Sequence, residues 1–217
     1  MSPSEPLESQ DAAAARPPLV VPARVWFSRP VHAVARDLLG AYLTTRSPDG
    51  DVTLRITEVE AYGGIEDPAS HAYTRTQRSE IMFGPPWHLY VYRSYGIHHC
   101  ANVVTGPTEK AAAVLLRAGD VVDGLDVARE RRPGIADAVL GRGPGNLALV
   151  LGLTLEDLGT PLLTDDGVHL GPEVPVPTDV RSGPRVGVSR AADVPWRLWL
   201  PDEPSVSAYR RSPRAPR

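Results

Sequence analysis

From Ser28 onward the apolar positions follow two periods. Val31, Val34 and Leu38 recur at helical spacing, with Ser28 a candidate N-cap, Pro30 in the first turn and Gly40 a stop, so a helix is predicted to open the folded region. Residues 41–45 and 52–59 then read as strands, joined through Ser47-Pro48-Asp49-Gly50, whose residue types favour a tight turn. This places Glu60 at a strand end. Leu89 and Val91 alternate with Tyr90 and Tyr92, as in a strand with one buried face, and residues 100–105 and 112–116 look like further strands. Turns at Gly96 and Gly106-Pro107 predict antiparallel neighbours. Helical spacing returns over 124–131 and 146–151, and residues 185–189 and 197–200 are again strand-like. Strands and helices do not alternate regularly, so a parallel sheet is not expected.

The periodic region is bounded by segments of another kind. Residues 1–23 mix Ser, Pro, Glu and Ala without apolar period, and residues 204–217 form a Pro/Arg tail, so one domain is expected over 24–203 with little to bury at either end. A length of 217 residues suits that reading. With 42% hydrophobic and 23% charged residues the composition is that of an ordinary globular domain, neither disordered nor membrane-embedded. The single cysteine, Cys100, excludes an internal disulfide framework, and no apolar run near Met1 supplies a signal-peptide core, so the expected location is the cytoplasm. A net charge of -3 argues against a protein that coats nucleic acid indiscriminately, because such binding neutralises many phosphates. Any such contact must be local. Between His71 and Asn102, Arg75, Arg78, His88, Arg93, His98 and His99 face only one acid, Glu80. Interleaved with Tyr90, Tyr92 and Tyr95, that stretch suits phosphate contact and base stacking, and equally a polar surface of an unrelated fold.

Glu58-Val59-Glu60-Ala61-Tyr62 puts two carboxylates on the same side of a strand just before Gly63-Gly64. Two like charges so placed can raise one pKa and prepare a general base, although two solvated glutamates on a strand face are the commoner case. Arg117, after an apolar strand, needs a charge partner such as Glu60 or a phosphate. Adjacent strand residues point to opposite faces, so His98-His99-Cys100 is not read as a metal site, and no metal or other cofactor is expected. Gly143-Pro144-Gly145-Asn146 reads as a helix entry, with or without a bound phosphate.

Together, Glu58-Val59-Glu60-Ala61-Tyr62, His71, Met82-Phe83-Gly84-Pro85-Pro86, Leu89-Tyr90-Val91-Tyr92, Tyr95-Gly96, Asn102-Val103-Val104, Val114-Leu115-Leu116-Arg117-Ala118, Gly143-Pro144-Gly145 and Arg185-Val186-Gly187-Val188 resemble the methylpurine (alkyladenine) DNA glycosylase family. The resemblance runs from about Ser28 to Leu200. It implies a single α+β domain: a curved antiparallel sheet flanked by helices, with a protruding β-hairpin. It implies that Glu60 is the catalytic general base and that Arg117 helps hold the attacking water. Tyr62, His71, Tyr92 and Asn102 match the pocket for the extruded base, and Tyr95 matches the tyrosine wedged into the minor groove. The sequence departs from the family at Trp87, where members usually carry glycine, at Arg93-Ser94, which replaces an apolar pair, and at Asn146, which replaces a frequent lysine.

The implied activity is monofunctional excision of alkylated purines such as 3-methyladenine and 7-methylguanine, with hypoxanthine or ethenoadenine as further substrates. The implied partner is damaged double-stranded DNA, bound by a monomer associated with the nucleoid. Lyase chemistry needs an amine, and Lys110, the one lysine, lies outside the matched pocket. A noncatalytic nucleic-acid binding domain and a hydrolase of free nucleosides are the alternative readings.

Overall fold

The computed structural model describes residues 19–20, 23–164, 167–171, 173–174 and 177–216. The leader expected over residues 1–23 therefore lies almost wholly outside the described residues. In chain order the elements are β1 (Leu19–Val20), α1 (Ala23–Phe27), α2 (Val31–Leu38), β2 (Tyr42–Thr45), β3 (Val52–Tyr62), β4 (Leu89–Ser94), β5 (His98–Thr105) and β6 (Ala112–Asp123). There follow α3 (Leu125–Arg131), β7 (Gly141–Arg142), α4 (Pro144–Val150), β8 (Val168–Leu170), β9 (Glu173–Val174), β10 (Arg181–Gly183) and β11 (Arg197–Trp199). The class is α+β, as the resemblance implied. All the strand pairings are antiparallel, β1 with β9 and the rest within a curled half-barrel sheet of nine strands.

That sheet is organised around β3. One edge of β3 pairs along its length with β6, while its other edge pairs first with β2, over Val52–Arg55, and then with β11, over Glu58–Glu60. β6 continues through β5 to β4. Val34 and Leu38 of α2 and Leu147 and Val150 of α4 are buried with Leu54, Ile56, Val59 and Leu116 in the main core. A smaller cluster holds Ala72, Met82, Phe83, Tyr90, Val104 and Ala113.

Two irregularities at one level of the sheet decide what faces where. Ile56 pairs with Gly119 and Glu58 with Ala118, so Thr57 is an extra residue on β3; Val59 then pairs with Leu116, so Arg117 is an extra residue on β6. Each bulge reverses the inside-outside alternation, because side chains alternate with period two. Leu54 and Ile56 are core residues before the bulge, and Val59 and Ala61 after it. Glu58, Glu60 and Tyr62 are thereby left on the face opposite the core.

Local differences from the sequence-based expectations have identifiable causes. Residues 23–27 already form α1, so Ser28 follows a helix instead of capping one, and α2 starts after Pro30 without a side-chain cap. β6 continues to Asp123, past the expected stop at Leu116, because the bulge at Arg117 disguises its period. Residues 185–189 are a loop, not a strand, with Gly187 at φ 72°. Gly64 is required where β3 ends: its φ is 72°, and a Cβ there would sit 1.8 Å from the Ala111 carbonyl oxygen.

Candidate active site

The face carrying Glu60 opens into a cleft of about 550 Å3, lined by β3, β4, β5 and β6 residues, by residues 68–71 and by the loop 186–190. Glu60 sits on its wall and is 0% exposed as a residue. Its Oε1 accepts the Val186 backbone N–H at 2.7 Å and lies 3.3 Å from Arg117 Nη1. The Tyr62 hydroxyl donates to Oε2 at 2.8 Å. A carboxylate has about four acceptor positions, so these contacts fix the group while leaving room for a water on it. Because residues 185–189 leave the sheet, the Val186 N–H is available to the carboxylate.

Glu58 is also 0% exposed but does not line the cleft. Its Oε1 accepts from Arg117 Nε at 2.9 Å, Arg197 Nε at 2.6 Å and Ser207 Oγ at 2.9 Å, and its Oε2 accepts the Ser207 N–H at 2.8 Å. Burial alone would raise its pKa, but the attraction of Arg117 and Arg197 and the Ser207 N–H outweigh this and hold the carboxyl below its usual range. Glu58 is therefore a permanent anion that orients the Arg117 guanidinium, whose other end meets Glu60. The commoner reading of the two glutamates as solvated is overturned.

Aromatic side chains form the walls. Burial, with Glu60 adjacent, pushes the Tyr62 phenol well above the usual range, so it remains a proton donor. Behind it, the Arg185 guanidinium lies 4.7 Å from the Tyr62 ring centroid and 5.1 Å from that of Trp196. Arg185 is held by Asp67 through contacts of 2.5 and 2.9 Å and donates to the Ala61 carbonyl. His71 Nδ1 lies 3.0 Å from the Tyr90 hydroxyl, and its ring meets Tyr92 edge-on at 4.6 Å. Burial, then the charge of Arg78, lowers the His71 pKa to about 4, so the imidazole is neutral at pH 7. Asn102 Nδ2 donates to the carbonyl of Tyr90, its cross-strand partner, at 3.0 Å.

Tyr95 lies at the cleft mouth, on the turn between β4 and β5, and is 93% exposed. It and Gly96 have φ of 50° and 73°, both central residues of the turn closed by the Ile97 N–H on the Ser94 carbonyl. A bulky residue at positive φ is costly.

The structure thus brings Glu60, Arg117, Tyr62, His71, Tyr92, Asn102 and Tyr95 to one cleft. Asp67, Arg185, Val186, Arg197 and Ser207 were not assigned roles from the sequence. The motif Arg185-Val186-Gly187-Val188 flagged two of them; nothing local distinguishes Ser207, whose partner is 149 positions away. The basic stretch is less available than its composition suggests, since Arg75 is bound to both Glu80 and Glu109. Trp87 stands at φ 66°, a backbone that favours the glycine of the family pattern, and it packs against the main core and does not line the cleft. Among the described residues no group of three or more His, Cys, Asp or Glu is placed to hold a metal ion, and no helix is long and apolar enough to cross a membrane.

Comparison with known proteins places this geometry in context. The family described as methylpurine-DNA glycosylase (MPG) matches residues 25–204. A protein of Nocardia farcinica is 57% identical over 191 residues, covering 84% of this chain and 88% of that protein. One from Rhodococcus jostii is 54% identical over 200 residues, covering 88% and 86%. One from Streptomyces avermitilis is 49% identical over 205 residues, covering 92% and 95%. Each is named "Putative 3-methyladenine DNA glycosylase".

Proposed function

The chain belongs to the methylpurine-DNA glycosylase family, and on that premise we propose that it extrudes alkylated purines from duplex DNA and hydrolyses their N-glycosidic bond with a water activated by Glu60. One observation carries the choice of substrate. Among the described residues Glu60 is the sole carboxylate lining the cleft, while Glu58 is locked away as an anion. Ordinary glycoside hydrolysis uses a carboxylate together with a second, protonated carboxyl that delivers a proton to the leaving group. A site lacking the second acid suits a leaving group that needs no proton. Alkylation at N3 or N7 makes the purine cationic, and so supplies one.

In this reading Glu60 accepts a proton from the attacking water and stabilises the oxocarbenium-like sugar electrostatically. Arg117 and the Val186 N–H hold and aim its first oxygen, and Tyr62 fixes its second. The extruded base lies among Tyr62, His71 and Tyr92, where a cationic purine gains from the aromatic faces. Asn102 supplies an amide that disfavours normal guanine. Tyr95 fills the vacated space in the duplex and offsets part of the unstacking cost, a few kcal/mol. Neutral lesions such as hypoxanthine and ethenoadenine lack the positive charge and are the poorer substrates. The reaction stops at the abasic site, because Lys110 does not line the cleft and no lysine amine is at hand for a Schiff base.

The test uses duplex oligonucleotides carrying 3-methyladenine, 7-methylguanine, hypoxanthine or normal purines, scored for abasic sites with and without alkali. The expected result is excision of the alkylated bases with breakage only after alkali. Glu60→Gln is expected to lower single-turnover excision by at least about a thousandfold, in line with loss of both base and charge, while retaining lesion binding. An active Glu60→Gln protein, or no excision by the wild type, would overturn the proposal.

A further inference from the structure

The last described residues are arranged in a way that neither the catalytic reading nor the family match, which ends at residue 204, accounts for. From Pro204 onward the chain contains Arg210, Arg211, Arg214 and Arg217 and no acidic residue. The segment is tied down at several points. Ser205 is buried, with its hydroxyl 2.8 Å from that of Thr57; Ser207 is bonded to Glu58; and the Arg210 carbonyl accepts the N–H of Gly187 at 2.9 Å. Gly187 belongs to the loop 186–190 that lines the cleft. Beyond it, Arg211 pairs with Asp193 and donates to the Pro216 carbonyl at 2.7 Å, and the Ala215 N–H closes a turn on the Ser212 carbonyl.

These contacts use backbone groups and the Ser205, Ser207 and Arg211 side chains. The Arg210 and Arg214 side chains are exposed and form no ion pair among the described residues. Arg190, also exposed, lines the cleft from the same loop that Arg210 grips, and lies 6.0 Å from the Tyr73 ring centroid. In a chain of net charge -3, unneutralised guanidinium groups beside an opening mark where a polyanion is favoured. Arg75, bound by two acids, does not offer this.

We propose that the segment from Tyr209 to Arg214 is a phosphate-binding strap on the rim of the cleft, in which Arg210 and Arg214 grip the backbone of the duplex beside the extruded nucleotide. This rests on the reading that the cleft receives a base from duplex DNA. The strap binds backbone and reads no base, so it contributes equally on damaged and undamaged DNA. It does not touch Glu60, so it leaves the chemical step alone.

The test compares the full chain with Arg210→Ala/Arg214→Ala in two assays: binding to one duplex with and without 7-methylguanine across a range of NaCl concentrations, and single-turnover excision at saturating protein. Removing two phosphate contacts is expected to flatten the slope of log affinity against log salt by about two, and to weaken both duplexes on the order of tenfold at low salt. The maximal excision rate should not change, and Arg210→Lys/Arg214→Lys should recover the slope. An unchanged slope, a loss confined to the damaged duplex, a fallen maximal rate, or failure of the lysine pair to recover the slope would overturn the strap. The two proposals fail separately: a wild type that binds with the predicted slope but excises nothing refutes the enzyme and keeps the strap, whereas excision with an unaltered slope in the alanine variant does the reverse.

Discussion

The Tyr62 ring whose hydroxyl meets Glu60 rests on Arg185, and that buried guanidinium is paired with Asp67. Both partners of that pair are essentially unexposed, at 0% and 1% for their side chains. Replacing Asp67 by Asn strands the guanidinium, and a broken buried pair costs about 3–5 kcal/mol, so urea unfolding should show a loss of that size. His71 carries a signature of its own. With its pKa lowered to about 4 in the folded protein, against 6.5 for the ordinary group, protonation favours the unfolded chain. Its stabilising contribution is therefore full above about pH 6.5 and declines as the pH falls toward 4. Denaturation at pH 7 and pH 5 should show a larger loss for the wild type than for His71→Gln. Neither effect is legible locally. Asp67 is one acid in a loop, and its partner lies 118 positions away.

At the level of elements, the order of strands and the antiparallel pairing were legible from alternation and from turn residues at Gly96 and Gly106. Which residues faced the cleft was not. Unbroken alternation along β3 would put Glu58 and Glu60 on the core side with Leu54 and Ile56, and the bulge at Thr57 that prevents this leaves no mark a period-two pattern can show. The same fault hid the far half of β6 behind Arg117. The resemblance named Glu60 and Arg117, but the physical reason they meet is this pair of bulges. The β4–β5 turn shows a different compromise. Tyr95 is held at positive φ with almost no packing to repay it, so Tyr95→Gly should relieve strain and raise stability by up to about 1 kcal/mol. The same change should weaken capture of damaged duplex. Unfolding and lesion-binding measurements on this one variant should move in opposite directions.

For the molecule as a whole, the site is a meeting of distant parts of the chain. β3 contributes the carboxylates, β6 the central guanidinium, the loop 186–190 an N–H, β11 a second guanidinium and the segment after Pro204 two donors. A chain stopped at Pro204 retains every residue of the family match yet lacks Ser205 and Ser207, leaving Thr57 and Glu58 short of buried partners. It should unfold at lower urea than the full chain and lose most of its excision, as denaturation and single-turnover assays would show. The ties of Val186, Arg197 and Ser207 to these glutamates span 126 to 149 positions. Contacts so far apart in sequence form late, and a chain made from its N-terminus exposes β3 long before their partners exist. A nascent chain that has reached Arg117 but not Val186 and Arg197 thus carries Glu58 and Glu60 with only part of their partners, on an unfinished sheet. A fragment that ends short of Ser207 leaves the Glu58 carboxylate without two of its buried donors, so stability and excision should fall together in every such fragment.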